Sequence, residues 1–326
     1  MSDKDAFNHR DAKALGRIAV LCGGRSAERK VSLVSGEKVY EALQRCGIEC
    51  QLIDAADHLV EKLLVYRPDR AFIALHGAGG EDGTINGLLE YMNIPYPGSD
   101  VLSSALAMDK YRAKLLWQAV GLPTPAFKLI NSAEDLEHCI QLLPAFVKPS
   151  REGSSVGIVR VDREQDLEEA WEKAKSYRGP VLVEQYIDGA EFTVGILNDQ
   201  ALPVIRVDVE GAFYDYDAKY LSKNTNYTIP CGLSVSQEQE VQALALSAFE
   251  VCGCSGWGRV DFMQDSIGRF WLLEVNTIPG MTDHSLLPMA AKEIGLNFDE
   301  LVVELLRTTS SVAFIDEKHS AIFCAE

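Results

Sequence analysis

Apolar and polar positions along this chain follow two different rhythms. In the first hundred residues, short apolar runs at Arg17 to Leu21, Gln51 to Asp54 and Ala71 to Leu75 are separated by stretches with helical spacing. That alternation predicts a parallel sheet covered by helices, an α/β unit. Turn residues gather at YPGSD and precede the helical stretch MDKYRAKLLWQAVG, so a second unit is expected to begin near Pro97 to Asp100. Within it, strands at 145–149 and 155–160 read as a hairpin, followed by a charged amphipathic helix from Arg163 to Tyr177. A third unit opens with VLVEQYI and continues through strand-like segments at 191–197 and 201–207, a long helix from Ser236 to Cys252, and strands at 257–263 and 269–275. Antiparallel pairing is expected there. The polar, tyrosine-rich GAFYDYDAKYLSKNTNYTIPCG is too long for an ordinary connection and reads as either a functional lid or a disordered segment. The tail after Arg307 is weakly patterned and receives no role.

Composition changes this picture in three respects. A length of 326 residues exceeds what one core usually organises, and 47% hydrophobic with 24% charged residues describes a globular chain. The division expected is 1–98, 99–183 and 184–326. A net charge of −17 argues against a large nucleic-acid or anionic-membrane surface, although a local cationic pocket remains compatible with it. Eight cysteines without a CxxC pair point to reduced thiols rather than a zinc ribbon or a dithiol. The charged start MSDKDAFNHRDAKALG lacks a secretory apolar stretch, no later run reaches membrane-spanning length, and a cytoplasmic protein is expected.

Candidate chemistry begins at FVKPSREGSSVGIV, where an apolar strand carrying Lys148 enters a glycine and serine loop. Such a loop can turn several N–H groups on phosphate oxygens beside the lysine, but taken alone it fits a flexible hairpin equally well. In GWGRVDFMQDSIGRFWLLEVNT, Asp261 and Glu274 fall on neighbouring strands, and period two puts Asn276 on the same face as Glu274. Two carboxylates and an amide oxygen suit magnesium, and the apolar surroundings of LLEVN disfavour an idle surface acid. Arg259, two residues before Asp261, fits both an oxyanion-stabilising role and a salt bridge. IPGMTDHSLLP supplies a helix start at Ser285 that either caps the helix or holds a carboxylate. Glu28 follows GGRSA, where complementing a helix dipole is its ordinary role, and His76 ends a strand before a glycine-rich turn. CGGRSAER lacks GxGxxG spacing, which argues against a Rossmann dehydrogenase.

In order along the chain, GGRSAERKVSLVSG, ALHGAGGEDGTINGLLE, SALAMDKYRAK, VKPSREGSSVGI, EFTVGIL, FYDYDAKYL, GWGRVDFM and LLEVNTIPGMTDHSLLP resemble the D-alanine:D-alanine ligases of the ATP-grasp superfamily. The likeness runs from residue 17 to residue 307. It implies an ATP-grasp fold behind an N-terminal parallel α/β domain, with the nucleotide between the central and C-terminal domains. Carried over by motif, Lys110, Lys148 and Lys219 would meet the nucleotide phosphates. Glu184, Gln185, Tyr186 and Ile187 would line the adenine pocket, with Glu191 at the ribose. Asp261, Glu274 and Asn276 would bind two Mg2+, for which Mn2+ can substitute. Glu28 would orient the first D-alanine's ammonium, with His76 beside it, and Arg259 and the Gly280 amide would face the oxyanion. Ser154 and Ser285, with neighbouring amides such as that of Leu286, would hold the second carboxylate. Tyr220 would link the lid to Ser154 and Glu28, completing a catalytic set of Glu28, Ser154, Tyr220, Arg259 and Ser285.

The implied reaction joins two D-alanines through a D-alanyl phosphate, releasing ADP and phosphate, for peptidoglycan precursors. A carboxylate becomes a useful electrophile only after its oxygen is made a leaving group, and the glycine-serine loop and lid would shield that intermediate from water. Ile278 and Asp283 stand where serine is frequent in NTxPG and MTxHS, and neither is a proposed ligand. Ester-forming relatives alter the lid around the position of Tyr220, so the resemblance implies amide formation. A homodimer is implied. The alternatives are another ATP-grasp carboxylate–amine ligase and a catalytically silent nucleotide-binding regulator.

Overall fold

The structure is a computed structural model that describes residues 14–154, 156–177, 179–209, 225–282 and 284–309. The chain opens with β1 (Ile18–Cys22), α1 (Arg29–Arg45), β2 (Cys50–Asp54), α2 (Leu59–Tyr66) and β3 (Arg70–Ile73). These strands form a parallel sheet in the order β2-β1-β3. Because β1 is central, all five of its residues, IAVLC, are buried, whereas edge strand β2 exposes Gln51 and Leu52. After α3 (Thr84–Tyr91) come α4 (Val101–Met108), which lies ahead of the predicted helical stretch, and α5 (Lys110–Ala119), which fills it. The break falls at Asp109, whose backbone is extended (ψ 92°) and whose carboxylate accepts from the Arg112 amide as the cap of α5.

The middle sheet contains β4 (Phe127–Ile130), β5 (Ala145–Pro149) and β6 (Val159–Val161), then, beyond α6 (Leu167–Ala174), β7 (Val181–Gln185). Its order is β4-β7-β5-β6. Two expectations change here. The second hairpin strand begins at Val159 rather than 155, because left-handed backbone at Ser154 (φ 48°) and Gly157 (φ 75°) keeps the loop out of the ladder. VLVEQ, expected to open the third unit, inserts instead between β4 and β5.

The last sheet is antiparallel, in the order β11-β10-β8-β12-β13. It is built from β8 (Gly189–Leu197), with β9 (Gln200–Ala201) paired to it, β10 (Ile205–Val209), β11 (Thr225–Thr228), β12 (Trp257–Asp265) and β13 (Phe270–Asn276). Helix α7 (Val235–Val251) covers it and is capped by reciprocal Ser234 and Gln237 hydrogen bonds. Two final helices, α8 (Leu286–Glu293) and α9 (Phe298–Arg307), pack into the same apolar cluster as the parallel sheet. A bidentate pair from Arg45 to Asp299, at 2.9 and 2.7 Å, ties α9 to α1. The middle sheet has a separate apolar cluster under α6.

Candidate active site

A cavity of about 510 Å3 opens where the start of α1, the segment after β3, the loop after β5 and the β13–α8 connection meet. Nine of the residues singled out in the sequence line it: Glu28, His76, Ser154, Arg259, Glu274, Asn276, Gly280, Ser285 and Leu286. They are separated by as many as 258 positions in sequence, from Glu28 to Leu286, and the fold brings them together.

Glu28 precedes α1 and is buried, and its carboxylate accepts a hydrogen bond from Ser154 Oγ. The backbone closes tightly around it, since a Cβ on Gly77 would stand 2.5 Å, and one on Gly153 2.7 Å, from Glu28 Oε2. Ser154 adopts φ 48°, a conformation a non-glycine residue needs support to hold, and the bond to Glu28 supplies it.

His76 is buried with both ring nitrogens engaged. Nδ1 lies 3.1 Å from the Ile278 carbonyl, which only accepts, so the proton sits on Nδ1 and Nε2 accepts from Ser35 Oγ at 3.0 Å. Ser35 Oγ in turn accepts from the Met281 amide at 3.3 Å. This chain fastens the turn after β13 to the parallel sheet through the Ile278 backbone, so the identity of the Ile278 side chain does not enter it.

Burial pushes His76 down to about 4, against the pull of the Ile278 carbonyl and with the help of the Arg259 charge. Between an ordinary imidazole value of 6.5 and 4, the unfolded chain therefore binds a proton that the native state refuses. Stability should fall as pH drops through that window, by about 3 kcal/mol in all, and level off below it. Thermal melts from about pH 7 to about pH 4 are expected to show a steeper loss in wild type than in His76→Gln. Equal slopes would rule His76 out as the source.

The register of β12 against β13 sets Asp261 opposite Glu274 and Arg259 opposite Asn276, so all four share one face. Asp261 accepts from Arg259 Nε and Nη2, both at 2.8 Å, and from Thr193 Oγ1 at 2.6 Å. Glu274 lies 3.0 Å from Lys110 Nζ, and Asn276 Oδ1 accepts from the Ile278 amide at 3.1 Å. The carboxylates of Asp261 and Glu274 thus already gather cationic groups, and with the Asn276 amide oxygen they form a hard donor set that fits a divalent cation. Lys110 also donates to the Glu152 carbonyl at 2.7 Å, and its amide donates to the Ser150 carbonyl at 2.9 Å. Burial alone would lower the Lys110 pKa, but Glu274, with Glu81 and Glu28 beyond it, raises it.

Ser285 stands at the N-cap position of α8 without a side-chain bond to the helix, its Oγ accepts from the Thr282 amide at 2.9 Å, and a Cβ on Gly280 would stand 2.9 Å from that Oγ. Lys148 and Glu184 do not line the cavity. They are buried together, 2.6 Å apart, with the Glu184 carboxylate turned onto lysines. Gln185 is exposed, Tyr186 packs edge-on against Phe146 beneath the Arg160 guanidinium, and Ile187 is half-buried. Glu191 sits on β8 between Val207 and Met263 of its neighbours. Lys219, Tyr220 and Asp283 lie outside the described residues.

Sequence reasoning passed over several buried ionisable groups, Glu81 and Lys114 among them. Glu81 accepts from the Gly77 amide at 2.7 Å, and burial beside the Glu28 charge pushes its carboxyl up to about 8. Its signal was present in HGAGGEDG, where glycines drew the attention. Lys114 was hidden in the apolar stretch KLLW, four residues after Lys110.

The profile for the D-ala D-ala ligase C-terminus matches residues 116–307, and that for the D-ala D-ala ligase N-terminus matches residues 57–99. A D-alanine–D-alanine ligase of Marinobacter nauticus is 55% identical over 299 residues, 91% of this chain and 92% of its own length. That of Stutzerimonas stutzeri is 54% identical, covering 91% and 95% respectively. Among solved structures, the Bacillus anthracis D-alanine–D-alanine ligase complexed with ATP has a TM-score of 0.79 at 31% identity, covering 90% of this chain and 97% of that one. The D-Ala:D-Ser ligase of Enterococcus faecalis has a TM-score of 0.78 at 32% identity, covering 90% and 99%. With an ATP-grasp architecture, both family profiles and relatives of this identity along nearly its whole length, the chain belongs to the D-alanine–D-alanine ligase family.

Proposed function

We propose that the chain ligates two molecules of D-alanine at the expense of ATP, through a D-alanyl phosphate, releasing ADP and phosphate for cell-wall precursor synthesis. The observation that carries this reading is the cavity itself, which sets a buried carboxylate, Glu28, across from the Arg259, Glu274 and Asn276 face and the Gly280–Ser285 turn. Glu28 binds the ammonium of the first D-alanine, with Ser154 fixing its carboxylate. The first substrate's own carboxylate then points toward β12 and β13, where Arg259 and the Gly280 amide stabilise the tetrahedral oxyanion. Ser285, Ser154 and the amides at the start of α8, Leu286 included, hold the carboxylate of the second D-alanine. Its amine attacks the acyl carbon, forming the peptide C–N bond as the C–O bond to phosphate breaks, and the amine proton leaves to solvent.

Lys110, Lys148 and Lys219 meet the nucleotide phosphates, Tyr220 links the lid to Ser154 and Glu28, and residues 184–187 with Glu191 hold adenine and ribose. Asp261, Glu274 and Asn276 would hold two Mg2+ ions, or Mn2+, whose chemistry is to screen the phosphates and polarise the transferred phosphoryl group. The units 1–98, 99–185 and 186–326, with the second boundary moved from 183 to follow β7 because that strand belongs to the middle sheet, serve as substrate-binding, loop-bearing and metal-bearing domains. The protein acts in the cytoplasm, which agrees with the free thiol state of the seven described cysteines. A homodimer is proposed on the family resemblance alone.

Purified protein with ATP, Mg2+ and D-alanine should form ADP and D-alanyl-D-alanine in equal amounts, and removal of divalent ions by a chelator should stop both. Offered equal D-alanine with D-lactate or D-serine as second substrate, it should make the D-alanyl-D-alanine amide predominantly. ADP release that follows another amino acid instead would assign a different ligase activity, and ATP binding without turnover would assign a silent regulator.

A further inference from the structure

Two ammonium groups converge on one buried carboxylate where the middle sheet meets α5. Lys148 Nζ donates to Glu184 Oε1 at 2.6 Å, and Lys114 Nζ lies 2.5 Å from Oε2. Lys114 also donates to Thr124 Oγ1 at 2.7 Å and to the Leu272 carbonyl at 3.1 Å. Two hydrogen bonds and one ion pair thus join α5 to a strand of the middle sheet and a strand of the last one. Lys114 is 0% exposed and Lys148 6%, so Lys114 cannot touch a ligand, whereas Lys148 reaches the surface.

The trio carries one surplus positive charge away from bulk water, an arrangement that favours the arrival of an anion. Burial would raise the Glu184 pKa, but the attraction of Lys114, followed by that of Lys148, holds it below the usual range. Burial brings Lys114 down to about 8, which leaves it charged at neutral pH.

We propose that Lys114 is a positioning residue that keeps Glu184 neutralised while Lys148 turns from that carboxylate to a nucleotide phosphate. The inference rests on the ATP-dependent reading above. Without Lys114, the departure of Lys148 would strand a buried carboxylate, so Lys148 would stay on Glu184 and the phosphate would lose a donor.

Calorimetric titration of the full chain with ATP and, separately, with adenosine tests this directly. Lys114→Met is expected to bind ATP about tenfold more weakly, the loss of one charge-assisted hydrogen bond, with adenosine binding changed by less than about twofold. Lys114→Met combined with Glu184→Gln removes the carboxylate that detains Lys148 and should bind ATP within about threefold of Glu184→Gln alone, a comparison in which any contact of Glu184 with adenine cancels. Unchanged ATP affinity in Lys114→Met, an equal loss for adenosine, or a double variant about tenfold weaker than Glu184→Gln overturns the proposal. If Lys114→Met does not fold, the comparison of the double variant with Glu184→Gln decides alone, since equal ATP binding supports the proposal and a tenfold difference refutes it. A wild-type chain that binds no ATP would refute the nucleotide reading, and this inference with it.

Discussion

ADP formation by Glu274→Ala is expected to fall by at least about a thousandfold, the equivalent of about 4 kcal/mol of transition-state stabilisation, in a protein that remains folded. Glu274 stands opposite Asp261 in the β12–β13 register and borders the cavity, so its loss removes one of two carboxylates from the proposed cation site. The cost to stability should be modest. The Glu274 side chain is 24% exposed, and its buried partner Lys110 loses its nearest counter-charge but keeps the Glu152 carbonyl at 2.7 Å and the Glu28 charge beyond it. The two readouts are a coupled ADP assay at saturating Mg2+ and a thermal melt. A folded variant with activity within about tenfold of wild type would remove Glu274 from the metal assignment.

Glu28→Gln should lower kcat/KM for D-alanine by about a hundredfold while leaving ATP affinity unchanged, because it deletes a charge opposite the substrate ammonium without changing volume. Glutamine fits the space enclosed by Gly77 and Gly153 and can still accept from Ser154, so the loss reports charge rather than packing. Ser154→Ala adds a second check. Since Glu28 and Ser154 share a hydrogen bond, the combined variant should lose less than the two single losses predict. Strict additivity would mean that the pair does not work as a unit, and a loss of ATP affinity in Glu28→Gln would place the carboxylate at the wrong substrate.

Much of this architecture was legible before any coordinates. The apolar runs of β1 and β3, the long period of α7 and the alternation in β12 and β13 each reflect a local rule, and each element lies within two residues of its expected position. The shared face of Arg259, Asp261, Glu274 and Asn276 also followed from period two together with a hairpin register. What sequence could not supply was long-range pairing. VLVEQ is an obvious strand, but nothing local says that it inserts between β4 and β5, and it was read into the wrong unit.

Lys114 escaped notice for a related reason. A lysine in an otherwise apolar helical stretch usually reaches to solvent, and only the positions of Glu184, Thr124 and the Leu272 carbonyl turn it inward. The motif that singles out Glu184 likewise says nothing of the two lysines its carboxylate meets.

The packing of α8 and α9 onto the parallel sheet makes two stretches far apart in the chain interdependent during synthesis. Five side chains of α9 are buried, Leu301, Val302, Val303, Leu305 and Leu306, in the cluster that also holds β1 and α1. A ribosome adding roughly 5–20 residues per second needs about 10–40 s to deliver the intervening chain. For that interval the nascent first lobe carries an uncovered oily face, and a chain cut short within α9 would leave that face open for good.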